Sequence, residues 1–369
     1  MTLTDLLAAI VRGDPIPAAA WAAVDVEAFC AAAGHHGVAP LLADRMRAMT
    51  DGPSGQLTAR VQDIARAEAA GDLVREQALR MALEALDRAG VRPIVFKGAH
   101  LAYSDYARPD LRPRLDTDLL IEADAGARNA AHTTLLGLGY DSAPHAGGDL
   151  VMTQRTYVKR RGTLVVHAID LHWRLANPQP FARVLTYDEL AGESVTLPAL
   201  CAVARAPGAA HALLIACIHR VAHHADADSL IWLYDIDRIA RRMSAREWDS
   251  FAALAIEREV AQVSGVSLDR ACMRFQSPVP AAVRAAFAGK GKGGELSSEY
   301  LTPRVGVGAA IRDWRAMGSW RARLRLAGEH LLPPAAYMRE VYAPESRAPL
   351  AWLYVRRAVT GARNRVTVR

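Results

Sequence analysis

Apolar positions follow helical spacing in the first and last parts of the chain, and change to short runs between them. From residue 1 to about 90, Ala, Leu and Val recur among charged residues with the period of amphipathic helices. The clearest helix is predicted over residues 56–89, with a break near Gly71 and an end at Gly90, because glycine favours a helix C-terminus. This pattern predicts a helical N-terminal domain over residues 1–90.

Residues 91–200 instead contain short apolar runs bounded by turn residues, a pattern typical of strands. Arg161-Gly162 separates two such runs and favours a hairpin turn. We therefore predict an α/β core in this part of the chain. Its predicted elements are a strand at 91–96, a helix at 99–106, a strand at 116–121, a helix at 124–138, and strands at 150–160 and 163–173.

Helical spacing returns in residues 201–369, with helices predicted over 211–225, 230–243 and 245–261. The glycine- and lysine-rich sequence at 289–294 is predicted to be a flexible linker, because no strand precedes it as in a phosphate-binding loop. The predicted fold class is therefore α+β, with an α/β core between an N-terminal helical domain and a C-terminal helical domain that ends in a basic tail.

The charge distribution and the cysteine spacing limit which binding partners and which redox compartment we expect. The chain of 369 residues has a net charge of +6, and arginines gather toward its end. Such a tail can bind nucleic acid, anionic lipid or an acidic partner, or form a solvated face, and no nucleic-acid-reading motif favours the first. The four cysteines lack Cys-x-x-Cys spacing, which favours a reducing compartment.

The sequence predicts neither a signal peptide nor a membrane-spanning helix. Asp5 interrupts the first apolar residues and no basic segment precedes them, so they are predicted to begin a helix rather than a signal peptide. The longest inland apolar stretch, 209–218, is far shorter than the roughly 20 residues that span a bilayer. We expect a soluble, cytoplasmic protein.

Three aspartates stand where the predicted strands are otherwise apolar. Asp116 and Asp118 lie two residues apart on one strand, so their side chains share a face and are separated along it by about 6.5 Å. Asp170 lies near the end of the last predicted strand. Such acids are costly to bury unless they are paired or bound to metal. They favour a catalytic site for two Mg²⁺ ions, with Mn²⁺ as the alternative, about 3.5 to 4 Å apart; an edge pair neutralised by arginines is the structural alternative.

Lys97 and Gly98 follow a predicted strand and precede a predicted helix. Glycine lets the backbone approach a ligand closely, and a helix N-terminus offers unpaired N–H groups to an anion. Arg112, between this turn and the acids, can hold phosphate oxygens, although pairing with a nearby aspartate is an equal alternative. We predict that all three residues bind the nucleotide.

The histidines give weaker signals. His172 shares a strand face with Asp170 and is predicted to lie on the acceptor side of the site, with a purely structural role as the alternative. His219 and His223 are four residues apart on a predicted helix, but the glutamate of the His-Glu-x-x-His motif is absent, so a zinc site is not favoured. The aromatic residues that follow are predicted to pack in the core: Trp232, Tyr234 and Trp248.

Several of these residues occur in an order that is similar to a known family. The order resembles that of a bacterial family of largely uncharacterised nucleotidyltransferases within the DNA polymerase beta-like superfamily. The resemblance covers roughly residues 30–260 and is carried by Lys97-Gly98, Tyr103, Tyr106, Arg112, Asp116-x-Asp118, Gly139-Tyr140, Asp170-Leu-His-Trp173, His36-Gly-Val38, Pro40-Leu-Leu42 and Leu230-Ile-Trp-Leu-Tyr-Asp-Ile236.

The resemblance implies a small mixed β-sheet that carries three metal-binding acids, helical regions on either side, and an NTP as donor. It places Gly98 on the superfamily's Gly-Ser turn and the three aspartates on its carboxylate triad. Ala99 stands where the serine is usual, so Lys97 or an arginine would have to supply the missing contact to the triphosphate. The separation between Gly98 and Asp116 is also longer than in the common superfamily pattern.

The leading hypothesis is a Mg²⁺-dependent transferase that moves an NMP group from an NTP to an acceptor hydroxyl and releases pyrophosphate. Asp170 would activate that hydroxyl, which belongs to a small molecule, a peptide, a protein or an RNA end. Ala99 favours a second hypothesis, a catalytically silent protein that binds a nucleotide or a partner. The arginine-rich tail supports a third, an RNA-binding protein whose affinity falls steeply with salt.

Overall fold

The computed structural model describes residues 1–49, 52–142, 148–224, 227–288, 294–302, 307–343 and 348–357. Within these ranges, one mixed sheet is flanked by helices that precede and follow it in the sequence. This arrangement confirms the predicted α+β fold class. The domain boundaries near residues 90 and 200 stay predictions.

The helices that precede the sheet end in a long one that reaches it. They are α1 (Leu3–Arg12), α2 (Ala18–Ala22), α3 (Val26–His35), α4 (Ala39–Met46) and α5 (Gly55–Arg88). The break predicted near Gly71 is wrong, because α5 continues through this glycine for 34 residues. An interior glycine costs only about 1 kcal/mol relative to alanine. That cost is offset where the Arg75 side chain lies against Gly71 and where Leu79 is buried further along the helix.

The core contains strands and short helices in alternation. They are β1 (Ile94–Phe96), α6 (Lys97–Ser104), a 3₁₀ turn (Pro109–Leu111), β2 (Thr117–Leu120), α7 (Ala125–Gly137), β3 (Tyr140–Ser142), β4 (Gln154–Arg161), β5 (Leu164–His172), α8 (Gln179–Ala182), α9 (Tyr187–Gly192), β6 (Val195–Thr196) and β7 (Arg205–Ala206). The sheet order is β3-β4-β5-β2-β1-β7-β6. β2 is parallel to β5, whereas β1 is antiparallel to β2 and β4 is antiparallel to β5.

The core elements differ from the prediction mainly at their ends. β2 begins at Thr117, so Asp116 lies just before the strand rather than in it, and α6 begins at Lys97 rather than at residue 99. The predicted hairpin is confirmed, with Gly162 in the left-handed region at φ +62° in its turn. β6 and β7 were not predicted, because a strand of two residues is too short to show a period.

Helices complete the chain after the sheet. They are α10 (Ala209–His224), α11 (Leu230–Arg242), α12 (Ala245–Glu257), α13 (Ala261–Phe275), α14 (Ala281–Ala288), a 3₁₀ segment (Leu296–Leu301), α15 (Val307–Ala316), α16 (Trp320–Leu331) and α17 (Ala335–Tyr342). Residues 289–293 of the predicted linker and residues 358–369 of the basic tail lie outside the described residues. In the ranges that are described, no helix is long and apolar enough to cross a membrane.

The sheet separates two cores, as expected when alternate residues of a strand point to opposite faces. On one face, Ile94, Phe96 and Leu120 pack with the N- and C-terminal helices in the larger core. On the other face, Leu119 and Leu171 pack with α5 and α7 in a smaller one. The helical regions therefore meet over the face to which Leu120 belongs.

Candidate active site

The register of β2 and β5 brings two of the predicted acids together. Asp118 lies opposite Asp170, and Leu120 lies opposite His172. Neighbouring strands are about 4.8 Å apart, so residues in register on one face are in reach of a common ligand. One ligand atom from each of Asp118, Asp170 and His172 lies within 4.8 Å of the others. Two carboxylates and an imidazole so placed form a donor set that fits a divalent cation.

Asp118 is held by two donors at the same oxygen. Lys97 Nζ is 2.6 Å from Asp118 Oδ1, and His172 Nε2 is 2.9 Å from it. Burial raises the pKa of the Asp118 carboxyl, but the Lys97 ammonium and the His172 hydrogen bond outweigh burial and hold that pKa well below its usual range. Asp118 is therefore ionised at neutral pH.

His172 lies beneath this carboxylate and is fully buried. Burial and the nearby Lys97 ammonium lower the pKa of the imidazole, against the opposing effect of Asp118. A neutral ring that donates from Nε2 to Asp118 has its lone pair on Nδ1. In the described part of the chain, this Nδ1 has no hydrogen-bond partner.

Asp170 is oriented by two residues that sequence reasoning missed. Gln154 Nε2 donates to one of its oxygens at 2.6 Å, and Thr156 Oγ1 donates to the other at 2.6 Å. Both donors lie on β4, where Thr156 is in register with Asp170. Their only sequence signal is the alternation of polar residues at 154 and 156, which is visible as a pattern once the hairpin register is known.

Asp116 lies at the rim of the same cleft. The residue is solvent exposed, but protein atoms crowd its carboxyl group. This burial, together with the negative charges of Asp118 and Asp170, raises the pKa of Asp116 to about 6, although Lys97 acts in the opposite direction. Like charges so close together repel unless a cation lies between them. The three predicted acids are thus in one cleft.

Lys97 and Gly98 form the first turn of α6 at the edge of this cleft. Lys97 has a φ of +53°, a left-handed conformation that is uncommon for residues other than glycine and is found at functional sites. A Cβ on Gly98 would lie 3.0 Å from Arg112 Nη2, so the absence of a side chain allows the Arg112 guanidinium to lie against the backbone. Gly98 is therefore a position of close approach to the Arg112 side chain, and the predicted approach to a nucleotide stays a prediction.

Arg112 is buried and pairs with Asp235 of α11. Its Nε is 2.9 Å from Asp235 Oδ1 and its Nη2 is 2.7 Å from Asp235 Oδ2, while Nη1 donates to the Pro113 carbonyl. Tyr106 Oη also donates to Asp235 at 2.7 Å. The arginine thus lines the cleft with each of its nitrogens already bonded. Its assignment as a nucleotide-binding residue stays a prediction.

The cleft lies where the sheet meets both helical regions, and it is open, with a volume of about 520 Å³. Its wall carries the acids together with Lys97 and Gln154. The helical regions add Gly37 from the turn after α3 and Trp232 from α11 to the wall. The turn after α3 and the start of α11 are hydrogen-bonded to each other, because Ile231 N donates to the His36 carbonyl at 3.1 Å.

The remaining sequence predictions concern α10 and α11. The His219 ring packs edge-on against Trp232, with ring centres 6.0 Å apart, and both residues line the cleft. The side chain of His223 lies outside the described residues, as does the pairing needed for the disfavoured zinc site. Tyr234 and Trp248 are buried in the core as predicted, whereas Trp232 is half-buried at the cleft.

The sequence that forms this site matches a known protein family. A family model described as "Uncharacterised nucleotidyltransferase" matches residues 22–275, a range that includes the sheet, the acids and the wall of the cleft. No curated protein matches the chain. The match covers more than half of the 369 residues. The chain belongs to this family of uncharacterised nucleotidyltransferases.

Proposed function

We propose that the protein is a divalent-metal-dependent nucleotidyltransferase that moves an NMP group from an NTP to an acceptor hydroxyl. The observation that carries this proposal is the register of β2 and β5, which places Asp118 beside Asp170 with Asp116 at the rim of the same cleft. Three carboxylates around one opening, with a basic residue next to a glycine turn, are what a triphosphate and its cations require.

The three aspartates would hold two Mg²⁺ ions, or Mn²⁺ in their place, and such ions stabilise the charge that develops on the phosphoryl and leaving oxygens. Asp170 accepts the proton of the acceptor hydroxyl while the hydroxyl oxygen bonds to the α-phosphorus of the NTP. The bond from that phosphorus to the bridging oxygen breaks, and pyrophosphate leaves. Gln154 and Thr156 keep the Asp170 carboxylate in one orientation through this step.

Lys97, Gly98 and the N-terminal N–H groups of α6 bind the triphosphate in this proposal. Ala99 carries no hydroxyl for the phosphates, so the lysine has to supply the contact that serine gives elsewhere in the superfamily. Arg112 acts from behind Gly98, where its charge contributes to the electrostatic potential of the turn while Asp235 holds the side chain. His172 has no exposed surface, which favours a role in holding Asp118 over direct contact with the acceptor.

The test is Asp118→Asn, assayed by transfer of label from α-³²P NTPs to acceptors in a cell extract. We expect transfer to fall at least a thousandfold, because the variant loses a charge that neutralises both cations and positions the reaction. Asp141→Asn is the matched control, since it removes an exposed carboxylate from β3 of the same sheet. Wild-type turnover by Asp118→Asn would sink the proposal.

A catalytically silent binding protein is the second candidate, and Ala99 is the residue that favours it. Calorimetry with NTP and Mg²⁺ distinguishes the two. Metal-dependent nucleotide binding, combined with no transfer to any small molecule, peptide or protein, would support the silent protein and contradict the transferase.

A further inference from the structure

The Lys97 ammonium lies where the proposed metal site should bind cations. Lys97 Nζ is 2.6 Å from Asp118 Oδ1, and the two side chains are only 9% and 11% exposed. The same oxygen accepts the hydrogen bond from His172 at 2.9 Å. A carboxylate oxygen has two lone pairs, so both lone pairs of Oδ1 are already engaged. A cation can bind this oxygen only after one of the two donors has moved away.

Of the two donors, Lys97 is the one that can leave. His172 is fully buried on β5, and its ring packs edge-on against Phe96 with centres 5.0 Å apart. Lysine instead has a flexible four-carbon side chain that reorients at low cost. Lys97 also lines the open cleft, so its ammonium has somewhere to move.

Lys97 has a backbone conformation that would suit glycine better than lysine. Its φ of +53° lies in the left-handed region, which is unfavourable for a residue with a Cβ, whereas glycine would adopt it freely. The chain therefore has a lysine at a position where its local geometry favours glycine. The contact of that lysine with Asp118 accounts for the choice, since Asp118 would otherwise be a buried carboxylate beside two further acids.

We propose that Lys97 is the resident counter-ion of the metal site, and that it must leave Asp118 Oδ1 before a divalent cation can bind that oxygen. This inference rests on the proposed function. The triphosphate provides the ammonium with a new anionic partner beside Gly98, so nucleotide and metal help each other to bind. Divalent cations alone bind weakly, because they compete with a covalently attached cation at the same oxygen.

The experiment is a titration with Mn²⁺ alone, in which electron paramagnetic resonance measures the free ion. We expect Lys97→Met to bind Mn²⁺ at least tenfold more tightly than wild type, because a positive charge has been removed from a ligand oxygen. Lys159→Met is the matched control, since it removes a lysine from β4 of the same sheet, where the ammonium lies over the Tyr140 ring. This control should bind as wild type does.

A second titration adds non-hydrolysable α,β-methylene NTPs, each of the four tested in parallel. We expect nucleotide to tighten Mn²⁺ binding by a larger factor in wild type than in Lys97→Met, because only the wild type has a lysine to transfer. Lys97→Gly serves as a second variant, since glycine suits the left-handed backbone and keeps the fold if the methionine does not. Equal Mn²⁺ affinity in wild type and both variants would overturn the inference.

Asp118→Asn separates failure of this inference from failure of the proposed function. If Asp118→Asn weakens Mn²⁺ binding while removal of Lys97 changes nothing, the metal site stands and only the displacement of Lys97 is wrong. If Asp118→Asn has no effect on Mn²⁺ binding, with or without nucleotide, the metal site itself is wrong and both proposals fall.

Discussion

The ion pair between Arg112 and Asp235 offers a sharp test of how the sheet is joined to the helices that follow it. Arg112 precedes β2 and is 7% exposed, while Asp235 lies on α11 and is 4% exposed. Three hydrogen bonds of 2.7, 2.9 and 3.1 Å join the guanidinium to the carboxylate, and the Tyr106 hydroxyl adds a further bond of 2.7 Å. We predict that Asp235→Asn strongly destabilises the protein.

The magnitude follows from the burial of both partners. In the wild type the Asp235 charge outweighs burial and raises the pKa of the Arg112 guanidinium. The variant lacks that charge, but the guanidinium stays protonated because the pKa of arginine lies far above neutral pH. Breaking a buried pair by removing one charge costs about 3 to 5 kcal/mol, because the other charge is left without compensation. Against a typical total of about 5–15 kcal/mol, this is a large fraction of the free energy of unfolding.

Urea unfolding followed by circular dichroism measures this loss. The matched control is Asp44→Asn, which breaks the Arg108–Asp44 pair whose side chains are 47% and 39% exposed. That exposed pair should contribute at most about 1 kcal/mol. The double variant Arg112→Met/Asp235→Leu should recover most of the stability, since it leaves no buried charge. A loss for Asp235→Asn within 1 kcal/mol of the Asp44→Asn loss would refute the reasoning.

Three further predictions concern single residues of α6 and β4. Burial lowers the pKa of His100 to about 4, so the unfolded chain takes up a proton at a higher pH than the folded protein does. The free energy of unfolding should therefore fall by roughly 3 kcal/mol as the pH drops from about 6.5 to 4. His100→Gln should lose this part of the pH dependence, which urea titrations at pH 7 and pH 5 measure. Gly98→Ala should weaken NTP binding at least tenfold in calorimetry, because the new methyl group would press on Arg112, and unchanged affinity would contradict the close approach. Thr156→Val should lower kcat about tenfold with little change in stability, since Asp170 loses one of the hydrogen bonds that orient it, and an unaltered kcat would remove Thr156 from the site.

The sequence was sufficient to identify the candidate acids, but not to predict that they lie close together in the fold. Asp116 and Asp118 can be placed on one face because strand periodicity is a local property. Their proximity to Asp170 depends on β2 and β5 being neighbours in parallel, although 52 positions separate Asp118 from Asp170 in the sequence. No local pattern states which strands pair. Here the resemblance to a nucleotidyltransferase family supplied the missing step.

The residues that support the acids were harder to find, for the same reason. Gln154 and Thr156 are ordinary polar residues on a strand, and they become significant only when the hairpin register sets them beside Asp170. Arg112 presented the reverse difficulty. An arginine near the acids is a good phosphate ligand by residue type. Its partner Asp235, however, is 123 positions away on a helix that was predicted without any contact to Arg112.

Pairing of basic residues with acids is a common feature of the described cleft and bears on how it can work. Lys97 contacts Asp118 and Arg112 contacts Asp235, and both of these ion pairs are buried. The cleft thus contains compensated charges together with Asp116, whose pKa is raised to about 6 by the crowding of its carboxyl group and by the other two acids. A triphosphate brings several negative charges into this setting, and existing pairs have to be exchanged before it can be bound. Because all three guanidinium nitrogens of Arg112 are hydrogen-bonded, whereas the Lys97 ammonium makes one hydrogen bond to Asp118 at the end of a flexible side chain, the exchange is easiest at the lysine. In the proposed transferase, Lys97 is therefore the residue that would respond to both metal and nucleotide.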